Sequence, residues 1–205
     1  MPGERRHASG TETSPDSCGS SEDRELMRQV QLGDEVALGE LMGRWELPVK
    51  RLVGRIVLNE REAEELAQEA FVRVWQQRQK FRAGAEFRPW LFAIAVNLAR
   101  NRLRWWRRRP EVALEEWTQA DETEATQETR SAGAEMLERG ERATAVRDAV
   151  AALPRSLREA LVLFEYEQLS HLEIATALGC TPKAVEARLY RAREKLRKSL
   201  LPRLG

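Results

Sequence analysis

Two cysteines, two histidines and no long apolar run leave this chain of 205 residues with few of the groups that usually announce catalysis, metal binding or a membrane. Cys18 and Cys180 lie far apart and in no metal-ligand spacing, which excludes a disulfide scaffold and fits a reducing compartment. His7 falls in a polar N-terminal stretch, and His171 falls in the first turn of an expected helix, where it reads as a surface residue. There is no P-loop, no dinucleotide glycine fingerprint, no His-Glu-x-x-His and no nucleophile with a matching base. Carboxylates are plentiful, but they read as solvated helix faces, so neither an enzyme nor a bound cofactor or metal is expected. The longest apolar run, WLFAIAV at 90–96, is far too short to span a bilayer. Residues 1–24 lack the hydrophobic stretch of a signal peptide. A soluble, cytoplasmic protein without membrane contact is the expectation.

Net charge is also nearly absent, +1 from 34 Lys+Arg against 33 Asp+Glu, but its distribution is uneven. Residues 100–109, RNRLRWWRRR, hold six arginines and no acid, whereas 111–130 hold seven acids and a single base, Arg130. Neutrality is a cancellation between segments, and a partner would feel the local fields.

Strand signals are few, and helical periodicity dominates. DRELMRQVQLGDEVALGELMGRW reads as a helix, a Gly-Asp break and a second helix, which LPVKRLVGRIVL continues although Gly54 weakens it. NEREAEELAQEAFVRVWQQRQKF is a strong helix with Asn59 as its cap and acids in its first turns, as the helix dipole prefers. EFRPWLFAIAVNLARNRLRWWRRR starts near Pro89. Residues 110–133 are acidic and aperiodic, a flexible linker, and 1–22 have the composition of a disordered tail. Beyond the linker, ERATAVRDAVAALP and SLREALVLFEYEQ return to helix. The expected fold is all-α, with two helical domains at 23–109 and 134–205.

The C-terminal stretch is the most specific. LSHLEIATALG is a short helix with Ser170 and Glu173 spaced as a capping box and Gly179 placed to end it. Thr181 caps the next helix, whose Val185, Leu189, Ala192 and Leu196 form one apolar stripe. The opposite face carries Lys183, Ala187, Tyr190, Arg191 and Glu194. Two helices and a tight turn, the second helix basic, form a helix-turn-helix of the kind that enters a DNA major groove; an ordinary helical hairpin is the alternative.

Two further features stay open on pattern alone. Trp90, Ile94, Asn97, Asn101 and Arg104 share one stripe that could hold unstacked bases, or belong to a core helix with a solvated tail. Glu62, Glu65, Glu69 and Arg73 share a face that could meet a basic partner or only water.

Taken in order, EAEELAQEAFVRVW, FRAGAEFRPWLFAIAVNLARNRLR and LPRSLREALVLFEYEQLSHLEIATALGCTPKAVEARLYRAREKLR resemble the extracytoplasmic-function sigma factors of the sigma-70 family, over about 23–200. The resemblance implies that 23–109 is sigma region 2 and 134–205 is region 4. It implies core RNA polymerase, promoter DNA and an anti-sigma factor as partners, and a monomer when free. By the same resemblance Glu65, Gln68, Glu69 and Trp75 bind core polymerase. Phe81, Arg88, Trp90, Ile94, Asn97, Asn101 and Arg104, with loop 82–88, read and melt the −10 element, Asn97 and Asn101 capturing a flipped base. Thr181, Lys183, Glu186, Ala187, Arg188, Tyr190 and Arg191 read −35, and the acidic linker threads the RNA path of the polymerase. One departure stands out: relatives commonly carry Lys or Arg where this chain has Glu186. A stand-alone helix-turn-helix regulator is the alternative function.

Overall fold

The computed structural model describes residues 16–108 and 134–204, and every regular element among them is helical. A first unit comprises α1 (Asp16–Gln31), α2 (Glu35–Val57), α3 (Glu60–Gln77) and α4 (Phe87–Arg108), with a 3-10 turn at Arg78–Lys80. The second comprises α5 (Ala134–Ala151), α6 (Arg155–Leu161), α7 (His171–Leu178) and α8 (Pro182–Leu204), with a π-helical turn at Val162–Tyr166. The all-α class and the division into two helical units match the expectation. The linker at 110–133 lies outside the described residues.

The helix boundaries follow from local chemistry. Gly33, at φ 96°, closes α1, and the Asp34 carboxylate accepts the backbone N–H groups of Val36 and Ala37 to start α2. Pro48 sits inside α2 without ending it, and Gly54 does not interrupt it either. Leu58 takes the left-handed conformation, and Asn59 then caps α3 by accepting the Glu62 N–H at 3.0 Å. The capping box of α7 is present in both directions, and Gly179 ends that helix at φ 62°.

Packing explains why these helices hold together. Leu52, Val53 and Ile56 of α2, Leu66, Phe71 and Val74 of α3, and Leu91, Phe92 and Val96 of α4 are all fully buried. Rings extend this core: Trp45 meets Phe92 edge-on at 5.9 Å, and Phe81 meets Trp90 at 5.1 Å. Asp23 ties α1 to α2, accepting from Arg44 Nη1 at 2.6 Å and Trp45 Nε1 at 2.9 Å. Burial nevertheless holds the Asp23 carboxyl above the ordinary carboxylate range.

Three expectations need correction. The helix α1 begins at Asp16, inside the stretch 1–22 expected as a disordered tail; residues 1–15 lie outside the described residues. SLREALVLFEYEQ is not one α-helix, because α6 stops at Leu161 and the π turn follows. The carboxylates are not all on solvated faces: Asp23, Glu62, Glu159 and Glu167 are buried.

The two units are also in contact. One continuous hydrophobic cluster runs through both, α4 packs on α7, and α2 packs on α6 and the π turn.

Candidate nucleic-acid and polymerase interface

The helix α4 buries one side and leaves a stripe on the other. Leu91, Phe92, Ala95, Val96 and Ala99 face the core. Trp90 and Ile94 are half-buried, and Asn97, Asn101 and Arg104 are exposed, so the five residues do form a continuous stripe from apolar to cationic. Asn101 accepts a hydrogen bond from the Arg104 guanidinium, which places amide and cation side by side. Phe81 is buried beneath Trp90 rather than open to a ligand. Arg88 is half-buried, lies over the Phe92 ring, and donates to the backbone carbonyl of Glu167 in the second unit.

The outer face of α3 collects the acidic residues. Glu65 and Gln68 are exposed, and Glu69 is half-buried in an ion pair with Arg73 at 3.0 Å. Glu65 also lies within 3.7 Å of Arg61 and 3.8 Å of Arg102. Trp75 is half-buried, with the Arg78 guanidinium stacked over its ring at 4.1 Å. Glu62 does not belong to this face. It is 5 % exposed and pairs with Arg102 at 2.6 Å, holding α3 to α4.

In the second unit, Val185, Leu189 and Ala192 bury the inner side of α8. That orientation forces the opposite side outward: Lys183, Glu186, Tyr190 and Arg191 are exposed, Tyr190 by 68 %. Ala187 and Arg188 are half-buried at the edges of this face. Thr181 begins the helix, its hydroxyl accepting the Ala184 N–H at 3.2 Å. Two cations, a phenol and one carboxylate on a helix exposed along one side are groups suited to phosphates and base edges.

The sequence patterns missed a third group of polar residues, because its members meet only across the fold. Arg100 of α4 pairs with Glu159 of α6 at 2.7 Å and donates to the Leu178 carbonyl at 3.1 Å. Arg158 of α6 donates to the Ile56 carbonyl of α2 at 2.9 Å. Arg55 stacks on Tyr166 at 4.2 Å. No helical periodicity could have signalled contacts between residues 59 to 111 positions apart.

Comparison with known proteins follows the same division. The chain matches the families described as Sigma-70 region 2, over residues 41–109, and Sigma-70, region 4, over residues 143–196. It is 36 % identical over 186 residues to the RNA polymerase sigma-H factor of Pseudomonas aeruginosa, covering 89 % of this chain and 96 % of that one. It is 33 % identical over 183 residues to the ECF RNA polymerase sigma-E factor of Escherichia coli, covering 88 % and 95 %. Among solved structures it resembles CnrH in complex with the cytosolic domain of CnrY, with TM-score 0.64 and 27 % identity over 90 % of this chain and 99 % of that one. A second similar structure is the sigma factor RpoE of Bartonella quintana bound to the anti-sigma factor NepR, with TM-score 0.60 and 20 % identity over 79 % and 95 %. Helical units in this order, each matched by its own region, mark the chain as a member of the sigma-70 family, an RNA polymerase sigma factor of the extracytoplasmic-function type.

Proposed function

We propose that residues 23–109 dock on core RNA polymerase through Glu65, Gln68, Glu69 and Trp75 and read an opened −10 strand with the α4 stripe. Residues 134–205 read duplex −35 DNA with the outer face of α8, and 110–133 connect the two readers. The observation that supports this reading best is the stripe itself: Asn97, Asn101 and Arg104 are exposed on a helix whose other side is locked into the core. A rigid base for amides and a guanidinium is what capture of a flipped nucleotide needs, since flipping costs a few kcal/mol that pocket and phosphate contacts must offset.

Within this reading Trp90 and Ile94 supply the apolar wall, while buried Phe81, edge-on to Trp90, positions the Trp90 ring. Thr181, Lys183, Arg188 and Arg191 hold phosphates, and Glu186, Ala187 and Tyr190 face base edges. The protein supplies promoter specificity and performs no bond chemistry. An anti-sigma factor is a further partner in this proposal, by likeness to the complexes above, and the free chain is a cytoplasmic monomer.

Asn97→Ala tests the −10 assignment. It should weaken open-complex formation far more than closed-complex binding, because the flipped base exists only after strand separation. Permanganate footprinting at −10 with reconstituted holoenzyme reads this directly; a wild-type footprint, or equal loss at both stages, would make Asn97 a surface residue only.

A further inference from the structure

None of the residues assigned to polymerase or DNA lies on α1, and the match to Sigma-70 region 2 begins only at residue 41. Packing explains part of this helix, since Met27 and Val30 are fully buried. Its polar side chains do something else. Arg24 and Gln31 stand seven residues apart on one face, two helical turns or about 10 Å along the axis, with Met27 between them. Both reach the same short segment, the connection 81–86 between the 3-10 turn and α4.

Gln31 holds the entry to this connection. Its side-chain amide donates to the Arg78 carbonyl at 2.9 Å and to the Phe81 carbonyl at 2.8 Å, which uses both of its donors. In return the Gln79 amide donates at 2.8 Å to the Gln31 carbonyl, one of those that the end of a helix leaves without a helical partner. Arg24 holds the exit: its guanidinium donates to the Ser20 carbonyl at 3.1 Å and pairs with Glu86 at 3.0 Å. Phe81 and Phe87, the two feet of the loop, are buried and meet edge-on at 6.3 Å. Arg82, Ala83 and Gly84 are exposed, in a tight turn closed by the Ala85 N–H on the Arg82 carbonyl at 3.1 Å. Gly84 takes φ 80°, a conformation that side chains resist.

Buried feet alone do not hold an exposed turn in one conformation. Ordering a loop costs conformational entropy, and a loop ordered in advance does not meet that cost when a base arrives. The two holds from α1 are unequal. Arg24 and Glu86 are each more than a third exposed, so their ion pair contributes little. Gln31 is half-buried with both donors engaged, and it carries most of the restraint.

We propose that α1 is a positioning strut for −10 specificity: Gln31 sets the conformation of the loop in front of α4, and Arg24 steadies its exit. This step rests on the proposed function, in which that loop belongs to the −10 reader. Both are positioning residues that act through the loop. The test selects from randomised −10 sequences with reconstituted holoenzymes of wild type, Gln31→Met and Gln31→Lys. Gln31→Met keeps the length of the side chain and removes both donors. It should reduce the preference for the favoured base at one −10 position about five- to thirtyfold, the ratio set by one to two hydrogen bonds. Polymerase binding and −35 preference should stay as in wild type. Gln31→Lys, which restores donors at similar reach, should recover part of the −10 preference; a role in packing alone would not follow the donor. In the free chain, a spin label at Ala83→Cys, in a Cys18→Ser, Cys180→Ala background, should be more mobile with Gln31→Met than without it. Wild-type −10 sequences selected by Gln31→Met would overturn the proposal, as would unchanged label mobility or an equal loss of polymerase binding. The Asn97→Ala footprint locates such a failure. If it changes as expected while Gln31→Met selects wild-type sequences, only the strut falls; if both −10 readouts stay at wild type, the −10 assignment falls and the strut with it.

Discussion

Glu186 shows how much one exposed side chain can decide. It stands on the outer face of α8 beside Lys183 and Tyr190, where a helix seated in a major groove meets base edges and phosphates. A carboxylate is repelled by phosphate, yet it accepts a hydrogen bond from the amino group of cytosine. Glu186 is therefore expected to shift one −35 position from guanine toward cytosine or toward indifference. Glu186→Arg should tighten promoter binding and steepen its salt dependence by about one unit for each additional phosphate neutralised. If the side chain touches a base, preference at that position should change by ~1–3 kcal/mol. Selection from randomised −35 sequences with both holoenzymes measures this; identical selected sequences and salt slopes would mean that Glu186 points away from DNA. Glu62 behaves in the opposite way. It shares the helical spacing of the acids Glu65 and Glu69, yet it is buried and spent on Arg102. Spacing puts these acids on one broad face, but only the position of α4 decides which of them water reaches.

At the scale of elements, α3 presents two faces. Its inner face, Leu66, Ala70 and Val74, fixes the bundle, and Glu65 and Gln68 on its outer face are exposed. Changing the outer face should therefore leave the fold alone. The Glu69–Arg73 pair is a half-exposed i,i+4 contact, worth only about 0–1 kcal/mol. Gln68→Ala with Glu69→Lys should thus keep near-native thermal stability while abolishing holoenzyme assembly; co-elution with core polymerase on gel filtration as for wild type would refute the assignment. Elements of this kind were legible in the sequence because their signals are local. Asn59, the Ser170–Glu173 box, Gly179 and the α8 stripe all act within a few residues, and each is found where expected. The π turn was not legible. An apolar run such as ALVLF reads as plain helix, and the departure comes at a segment that packs on both α2 and α7. Nor was the burial of Phe81 legible, which depends on the Phe87 and Trp90 rings that close over it.

At the scale of the whole molecule, burial is set against charge where the two units meet, and Glu167 lies there. It is almost fully buried, with its backbone carbonyl bonded to Arg88. Burial pushes its carboxyl above the ordinary glutamate range, and the nearby charges of Arg88, Arg55 and Arg51 offset only part of that. In the unfolded chain the same carboxyl is solvated and titrates near its usual value. A group whose pKa is higher in the folded form binds protons more tightly there, so its protonation favours folding. This contribution is fully present below the ordinary glutamate pKa and is lost as pH rises through the raised one. Glu167 should accordingly cost some stability as pH climbs through that window toward neutrality. Glu167→Gln, neutral throughout, should be more stable than wild type at pH 7 and equal to it in acid. Denaturant unfolding of the two proteins across the pH range measures the difference, in which the many other carboxylates cancel. If the two curves run parallel, Glu167 keeps its proton affinity unchanged on unfolding, and its burial does not oppose its charge.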